Sequence, residues 1–484
     1  MRKFGIIAGV LTCTLLLAAG MPQTAWAQKK SDLKTSVKYK VVDGMIVLDE
    51  PHRVAGQKSM LEFSCAPIPV VRVGFVGLGM RGPGAVERFT HLKDVKIVAL
   101  CDKYKERAER CQNTLTKAGL PEAAIYSGDD GYKKMCERND IDLIYICTNW
   151  QMHVEVALYA MEHGKHVAME VPGATTVEEC WKLVDTSERT QKHCMMLENC
   201  CYDFFELNTL NMVQHGVFGE VLHVEGAYIH NLEPYWDSYA DNWRLEYNQQ
   251  HNGDHYATHG LGPDCQVLNI HRGDKMDYLV SMGTKSVNGL KLAQKKMGAK
   301  TFAQSDQINT LIMTNNGKTI DLQHNTFTYR PYNRLYQVVG TEGFANKYPV
   351  EGYAFKGDQI QKTGSESVPN FEKLDGEDFA PAEVVEAMKA KYRHPIQIEV
   401  GDQAKEVGGH GGMDFIMDYR LIYCLHYGLP LDMDVYDAAE WASIGELTEI
   451  SIANNSMPVK VPDFTRGDWN KIKGLKFYYK DDKK

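Results

Sequence analysis

Three histidines stand four residues apart in the stretch HNGDHYATHGLGP, at His251, His255 and His259. Histidine can transfer protons near neutral pH and is also a common metal ligand. His255 and His259 have the spacing of a zinc-binding HExxH helix, but the glutamate of that motif is missing. Several glycines and Pro263 also disfavour a long helix here. We therefore expect a catalytic loop, with a zinc site and a loop holding a merely structural histidine as alternatives.

A second stretch with chemical potential follows the apolar run Val71–Val76 and reads Gly77-Leu78-Gly79-Met80-Arg81-Gly82. In such a turn the first glycine permits the tight bend, the second admits a pyrophosphate, and the third lets helix and strand pack closely. Asp102 ends the next apolar run, at the expected interval of about 20 residues, and suits a ribose diol. Asp102 favours NAD, whose ribose has no 2′-phosphate, and Lys103 and Lys105 weaken this preference. The turn predicts a dinucleotide site for NAD.

The elements around this turn alternate between apolar strands and helical patterns from residue 70 to about 200. We predict strands at 71–76, 96–101, 143–148, 166–171 and 194–198, and helices at 82–90, 104–118, 154–163 and 177–191. Continuous apolar strands that alternate with helices indicate a parallel sheet covered on both faces. The sequence therefore predicts an α/β fold, with a Rossmann-type doubly wound NAD-binding domain at 70–200.

The pattern changes after about residue 215 to longer strands, predicted at 219–231, 277–286, 308–314, 319–328 and 335–340. Asn315-Asn316-Gly317 is a typical hairpin turn. Helices are predicted near 381–392, 413–427 and 435–452. We expect residues 201–484 to form an α+β substrate-binding domain with a mainly antiparallel open sheet, C-terminal helices and a tail.

The first 27 residues have the features of a signal peptide. Arg2 and Lys3 precede an apolar run that is too short to span a bilayer, and Ala25-Trp26-Ala27 is a small-x-small cleavage signal. We expect cleavage near Gln28 and export to the periplasm or the medium. Lipoprotein attachment at Cys13 and an uncleaved anchor are the alternatives. Residues 28–69 are predicted to form an N-terminal arm.

Length and composition narrow the class of protein. A chain of 484 residues suggests two domains. A net charge of −9 argues against a nucleic-acid partner, and after the signal peptide no apolar run reaches the ~18 residues of a membrane span. An odd number of cysteines remains after cleavage, without a CxxC pair, so we expect buried thiols rather than a disulfide framework.

The blocks VRVGFVGLGMRG and TNWQMHVEVALYAMEHGKHVAMEVP resemble the glucose–fructose oxidoreductase and inositol dehydrogenase superfamily. In that superfamily a strand-ending E-K-P supplies a lysine that contacts the nicotinamide end and helps to move the hydroxyl proton. This chain has Glu170-Val171-Pro172 instead. Because valine replaces the lysine, we expect an ordinary sugar dehydrogenase less.

Further blocks resemble glycoside hydrolase family 109, which includes α-N-acetylgalactosaminidases that keep NAD bound. The usual proline of the Y-x-T-H block is Ala257 here, and the twin-arginine signal of many members is reduced to Arg2-Lys3. The blocks are ENCCY (198–202), GAYIH (226–230), YATHGLGP (256–263), RPYNR (330–334), GHGGMD (409–414) and VPDFT (461–465).

The resemblance implies a glycosidase that oxidises the sugar at C3, eliminates the C1 substituent, adds water and reduces C3 again with the same, tightly bound and recycled NAD. Histidine is suited to the proton transfers, and tyrosine is suited if a neighbour lowers its pKa. We expect His259 and Tyr256 in these roles, without assigning either to C3 or C2. Glu170 is a candidate to orient one of them, and His410 is a weaker candidate. An exported sugar oxidoreductase and a non-catalytic sugar or nucleotide sensor are the alternatives.

The same match implies the remaining site residues and partners. The expected substrate is a small molecule or glycan with terminal N-acetylgalactosamine, no membrane span is expected after cleavage, and a homo-oligomer is left open. The NAD site is expected to include Met80, Arg81, Asp102, Asn149, Trp150, Gln151, His153, Glu170, Val171 and Asn199, and the sugar site Tyr228, Arg244, Tyr256, Ala257, Thr258, His259 and Tyr332.

Overall fold

The computed structural model describes residues 37–365 and 367–482. The predicted signal peptide and the first residues of the predicted arm lie outside this range. Within it, no helix combines the length and the apolar character needed to cross a membrane.

The strands are β1 (Tyr39–Val42), β2 (Met45–Leu48), β3 (Val71–Val76), β4 (Val95–Asp102), β5 (Ala124–Ser127), β6 (Leu143–Ile146), β7 (His166–Met169), β8 (Cys194–Met196), β9 (Val221–Ile229), β10 (Met276–Gly283), β11 (Ile308–Thr314), β12 (Thr319–Asn325), β13 (Tyr336–Gly340), β14 (Gly343–Asn346), β15 (Gly352–Phe355) and β16 (Val459–Lys460). The helices are α1 (Gly82–Phe89), α2 (Lys105–Lys117), α3 (Gly131–Cys136), α4 (Trp150–Glu162), α5 (Val177–Thr190), α6 (Phe204–Gln214), α7 (Trp243–Gln250), α8 (Thr258–Leu268), α9 (Asn288–Met297), α10 (Gly357–Lys362), α11 (Ala382–Lys391), α12 (Pro395–Val407), α13 (Met413–Tyr427) and α14 (Val435–Ala453).

The first sheet is parallel and has the order β5-β4-β3-β6-β7-β8. Counted by themselves, these six strands are arranged 3-2-1-4-5-6, the order of a dinucleotide-binding fold. Strands β6 and β7 are buried along their whole length, as a sheet covered on both faces requires. The predicted Rossmann-type sheet is confirmed. The sequence pattern missed β5 and α3, because AIYS is short and only partly buried.

The second sheet has the order β1-β2-β16-β10-β11-β12-β9-β13-β14-β15. Its pairings are antiparallel except β9 with β12 and β2 with β16, so the predicted mainly antiparallel sheet is confirmed. The predicted turn before Lys318 joins β11 to β12, with Gly317 at a φ of 80°. The described part of the arm supplies β1 and β2 to this sheet.

We expected a catalytic loop in the stretch HNGDHYATHGLGP, and this expectation is corrected. The chain is helical from Thr258 onward, where α8 begins. Two glycines allow this helix to lie close to its neighbours, at Gly260 against backbone and at Gly262 against side chains. A Cβ at Gly260 would stand 2.4 Å from the backbone nitrogen of Ala227 in β9, and a Cβ at Gly262 would stand 2.7 Å from Glu198. Every residue of α8 is buried. Tertiary contacts therefore override the low helix propensity of glycine and proline.

The C-terminal helices join the two sheets. Helix α14 packs against α5 and β8 on one side and β10 on the other, while α13 packs against α1 and β3. Residues at the start of α13 therefore lie beside the glycine turn. Nine of the eleven cysteines in the described part are buried, as expected, and Cys65 and Cys147 are partly exposed.

Candidate active site

The glycine turn lies at the carboxyl end of β3, where α1 begins. Gly77 has a φ of 88°, and a Cβ there would lie 2.5 Å from the backbone of Cys147. A Cβ at Gly82 would lie 2.2 Å from the carbonyl oxygen of Gly77, so this helix start also excludes a side chain. At Gly79 a Cβ would meet only the Arg107 guanidinium, at 3.5 Å. The turn is therefore closed on its protein side and open where a pyrophosphate would approach.

Asp102 fixes this turn from the end of β4. Its Oδ2 accepts a hydrogen bond from the backbone nitrogen of Leu78 at 2.6 Å, and its Oδ1 accepts one from the nitrogen of Tyr104 at 2.9 Å. Arg107 approaches the same carboxylate at 3.6 Å and covers the Tyr104 ring. Met80 stands half-exposed at the rim of the turn. An acid at this place, one strand away from the turn, fits the ribose of a dinucleotide.

A polar network connects the glycine turn with the ends of β7 and β8. The Arg81 guanidinium contacts Glu170 at 3.1 Å and Asp414 at 3.4 Å. Asn199 donates to the other oxygen of Asp414 at 2.6 Å, and His410 lies 2.9 Å from this carboxylate. Burial works to raise the pKa of Asp414, but His410 and the two neighbouring guanidinium groups lower it well below its usual range. The network fixes predicted cofactor residues from three parts of the chain.

The predicted residues at the start of α4 divide into two groups. Asn149 precedes the helix, and its buried Oδ1 has no hydrogen-bond partner among the described residues, which leaves it open to a ligand. Trp150 is buried and faces the sugar-site residues, while Gln151 is exposed. His153 bonds through both ring nitrogens to backbone carbonyls, and buried Val171 follows β7. His153 therefore joins two loops of the cradle.

His259 is held by Glu198, which ends the segment after β8. Its Nδ1 lies 2.7 Å from Glu198 Oε1, so Glu198 takes the orienting position that we expected Glu170 to fill. Burial and then the charge of Arg334 lower the pKa of His259 to about 4, and Glu198 offsets this only in part. Burial works to raise the pKa of Glu198, but His259, Thr258 and the Cys200 amide outweigh it and lower the pKa. The imidazole is neutral, donates from Nδ1 and keeps the Nε2 lone pair for a proton.

Tyr256 and Tyr228 stand beside this histidine. The Tyr256 ring lies 4.6 Å from the Tyr228 ring and 4.9 Å from the His259 ring, and it stacks on Trp150 at 5.7 Å. Burial, then Tyr228, raises the pKa of Tyr256 well above its usual value, although the Arg244 guanidinium at 4.6 Å opposes the shift. A lowered tyrosine pKa, the condition for a tyrosine base, is not met. Tyr256 keeps its proton in this arrangement and is a hydrogen-bond donor.

The remaining predicted sugar residues lie in the same cluster of side chains. Tyr228 Oη lies 3.1 Å from His230 Nδ1, and the His230 ring meets the half-exposed Tyr332 ring at 4.9 Å. Ala257 and Thr258 are buried at the start of α8. Residues from β9, α7, α8 and the segment before β13 thus meet at one site.

The three histidines of the opening stretch do not converge on one point. His251 Nδ1 lies 3.1 Å from Glu449, and His255 Nδ1 lies 3.4 Å from Tyr247 Oη. His259 turns instead to Glu198. His255 lies before α8 and His259 lies within it, so the two histidines do not share one helix face as the zinc motif requires.

A different set of groups has the geometry of metal ligands. One atom each from Glu198, Cys200 and His259 lies within 4.8 Å of the others. The Arg334 guanidinium, however, donates to Cys200 Sγ at 2.9 Å. A fixed positive charge in contact with the thiol repels a divalent cation, so the set works better as a hydrogen-bonded support for the imidazole.

Sequence reasoning missed four functional candidates although each lies inside a quoted block. Glu198 and Cys200 belong to ENCCY, Arg334 ends RPYNR, and Asp414 ends GHGGMD. A charged or sulfur-bearing residue in a distinctive block was the available signal. Their partners lie between about 60 and 330 residues away in the sequence, which no local pattern shows.

Comparison with known proteins agrees with this geometry. Residues 202–471 match the family model of the glycosyl hydrolase 109 C-terminal domain, and residues 71–198 match the NAD-binding Rossmann fold of an oxidoreductase family. Glycosyl hydrolase family 109 protein 1 of Bacteroides fragilis is 62% identical over 88% of this chain and 92% of its own length. The protein of the same name from Bacteroides thetaiotaomicron is 58% identical over 94% and 95%. A levoglucosan dehydrogenase in complex with NADH shares the fold, with a TM-score of 0.60 and 17% identity over 81% of this chain and 99% of its own.

Proposed function

Because the chain belongs to glycosyl hydrolase family 109, we propose that it hydrolyses terminal α-N-acetylgalactosamine through an oxidation–elimination–addition–reduction cycle with retained NAD. The family and the Rossmann domain make it an NAD-dependent glycoside hydrolase. The observation that carries the proposed cycle is the neutral, buried His259 on Glu198 beside two protonated phenols, next to the dinucleotide cradle.

The carboxylates near the cavity support a cycle without an acid–base carboxylate pair. Most glycosidases need two carboxyl groups that face the sugar from opposite sides. Here Glu170 bonds to Arg81, Asp414 bonds to Arg81 and Asn199, and Glu198 bonds to His259. Each carboxylate already holds a protein group. A mechanism that uses imidazole and phenol groups fits this arrangement better.

Each chain residue then has a defined task. NAD, held by the glycine turn and Asp102, would accept a hydride from the sugar C3 and return it. His259 accepts a substrate proton at Nε2, because its imidazole is neutral at pH 7. Tyr256 donates a hydrogen bond to a substrate oxygen, since its phenol stays protonated. Glu198 keeps the imidazole in one tautomer, as a carboxylate does for a catalytic histidine elsewhere.

The sugar itself would be held by aromatic and cationic side chains. Tyr228 and Tyr332 offer rings for the apolar faces of a pyranose, and Arg244 offers N–H donors to hydroxyl or acetamido oxygens. The Arg244 guanidinium lies over the rings of Trp150 and Tyr256, at 4.8 and 4.6 Å from their centres, which holds it beside the proposed sugar residues. A neutral sugar suits this surface.

The test is release of nitrophenol from nitrophenyl α-N-acetylgalactosaminide by purified protein without added nucleotide. We expect release, and incorporation of one solvent deuterium at C2 of the product. The α-N-acetylglucosaminide is the matched control for the C4 configuration. Protein that contains NAD but releases nothing would contradict the proposed sugar. Consumption of added NAD with a sugar instead would favour an oxidoreductase.

A further inference from the structure

Arg334 is a buried arginine without a carboxylate partner. Its side chain precedes β13 and the residue is 7% exposed. Within the part of the chain that the structure describes, its guanidinium makes one hydrogen bond, from Nη1 to Cys200 Sγ at 2.9 Å, and its buried Nε has no partner. Arg88 and Arg420, which are equally buried, each bond an aspartate at 2.7 Å. A buried charge with no counter-ion is costly and persists where function requires it.

The surroundings place this charge beside residues of the proposed sugar site. The Arg334 guanidinium lies 5.7 Å from the ring centres of both Tyr228 and Tyr332. Its hydrogen-bond partner Cys200 lies 3.7 Å from His259 Nδ1. The cation and the proposed base therefore share one end of the site. Burial of the guanidinium beside two aromatic rings strengthens the attraction between this cation and any negative charge nearby.

The proposed cycle produces a negative charge that could meet this cation. When a base takes the C2 proton of the 3-keto sugar, the C–H electron pair forms the C2–C3 double bond and the carbonyl pair moves onto the C3 oxygen. The pair then returns, the C1–C2 double bond forms, and O1 leaves with the C1–O pair and takes a proton. The terminal sugar is neutral before and after these steps. A fixed cation that meets the charge only in the transition state lowers the barrier without tightening substrate binding.

We propose that Arg334 is a catalytic residue that stabilises this C3 oxyanion, and that Cys200 is a positioning residue that holds its guanidinium. The inference rests on the proposed function, because it needs a C2 proton to be removed. A permanently anionic substituent on the substrate fits less well, since it would stand near the carboxylate of Glu198. The guanidinium also supplies the positive charge that a metal ion on Cys200 and His259 would bring.

The experiment compares wild type, Arg334→Gln and Arg330→Gln for nitrophenol release and for deuterium uptake at C2. Arg330 is the matched control, because it lies in the same segment, is exposed, and its side chain bonds to Gln307 and Gln323. We expect kcat of Arg334→Gln to fall about 10²- to 10³-fold with KM within a few-fold, as for loss of an oxyanion-hole donor. Deuterium uptake should fall by the same factor, and Arg330→Gln should match wild type.

Two further variants keep the test decisive if Arg334→Gln does not fold. Arg334→Lys keeps the charge but loses the planar fork, so we expect a smaller loss of kcat and an unchanged KM. Cys200→Ala should lower kcat in the same direction. Titration of ¹⁵N-labelled histidine gives a readout independent of turnover, because removing the Arg334 charge should raise the pKa of His259 above about 4.

The outcomes separate the two proposals. A raised KM with unchanged kcat in Arg334→Gln would make Arg334 an anchor for an anionic substituent and overturn the inference. Unchanged kcat and KM would do the same. Wild type that releases nitrophenol without deuterium uptake at C2 would overturn the proposed cycle, and the inference with it.

Discussion

Two buried histidines of this protein each contact a glutamate, yet one ring is neutral and the other is positively charged. His259 lies in the cavity with Nδ1 on Glu198. His271 follows α8 and has Nε2 on Glu440 of α14, where the two sheets are joined. Both rings are almost inaccessible to solvent. The histidine–glutamate pair alone therefore does not determine the protonation of the ring.

The second charged neighbour makes the difference. Near His259 it is Arg334, and burial together with this cation lowers the pKa to about 4. Near His271 it is Asp437, 3.4 Å from Nδ1, and although burial opposes it, the two carboxylates raise the pKa to about 10. The first ring is a neutral base and the second is a permanent cation at neutral pH. A histidine–glutamate pair thus provides a base in the candidate active site, at His259, and a stabilising ion pair between the segment after α8 and helix α14, at His271.

The largest expected effect is on turnover by His259→Asn. The amide can still donate to Glu198, so the carboxylate keeps a partner while the proton acceptor is lost. We expect nitrophenol release to fall about 10²- to 10⁴-fold, the usual contribution of a general base. Bound NAD, measured by absorbance of the released nucleotide, should not change. Turnover within a few-fold of wild type would remove His259 from the mechanism.

The opposite behaviour is expected from His271→Gln, which serves as the control for the previous variant. Removing the cation leaves Glu440 and Asp437 buried without the positive charge between them, although Glu440 keeps the Met276 amide, and we expect a loss of about 3 kcal/mol in the free energy of unfolding. The kcat of the folded variant should stay near that of wild type. Urea titration and rate measurements on the same samples test both statements. A large loss of kcat without a loss of stability would show that the two histidines are not functionally separate.

The pH dependence of stability sharpens this distinction. The folded pKa of His271, about 10, lies above its usual value near 6.5. Its stabilising contribution is therefore complete below about pH 6.5 and is lost as the pH rises through about 10. The difference in unfolding free energy between wild type and His271→Gln should shrink between pH 7 and pH 10. A constant difference would mean that the ring is not a buried cation.

The catalytic histidine should set the acid side of the rate profile. Its pKa of about 4 means that the base is protonated, and lost, only below that pH. We expect kcat/KM to be level from about pH 5 to neutrality and to fall about tenfold per pH unit below pH 4, corrected for unfolding. A fall that begins near pH 6.5 would place the acid limb on an unperturbed imidazole instead.

The sequence predicted most of the strands and helices but only part of the site. The physical reason for this difference is that the former depend on local signals and the latter on contacts between distant segments. Continuous apolar strands and the glycine turn are local signals, so β3, β4 and α1 were found within one or two residues. Helix α8 was missed because its stability comes from contact with β9 rather than from its own residues. His259 and Tyr256 were chosen from local spacing and resemblance.

The partners of those residues were beyond sequence reasoning. Glu198 lies 61 positions from His259, and Arg334 lies 134 positions from Cys200. Such pairs form only when β8, α8 and the segment before β13 pack together. The low pKa of His259 depends on this packing as well, because burial and the Arg334 charge both come from distant segments.

The smallest expected effect is the change in nitrophenol release when metal ions are removed. It tests the main difference between the two histidines, which is the arginine near His259. His259 shares a possible ligand set with Glu198 and Cys200, but Arg334 contacts the sulfur. If the guanidinium provides the positive charge of the site, prolonged treatment with EDTA should leave nitrophenol release unchanged, and added Zn²⁺ should not increase it. Loss of activity that returns with a divalent cation would mean that Arg334 moves aside for a metal. His259 would then be a metal ligand rather than the free base that its pKa and its contact with Glu198 indicate.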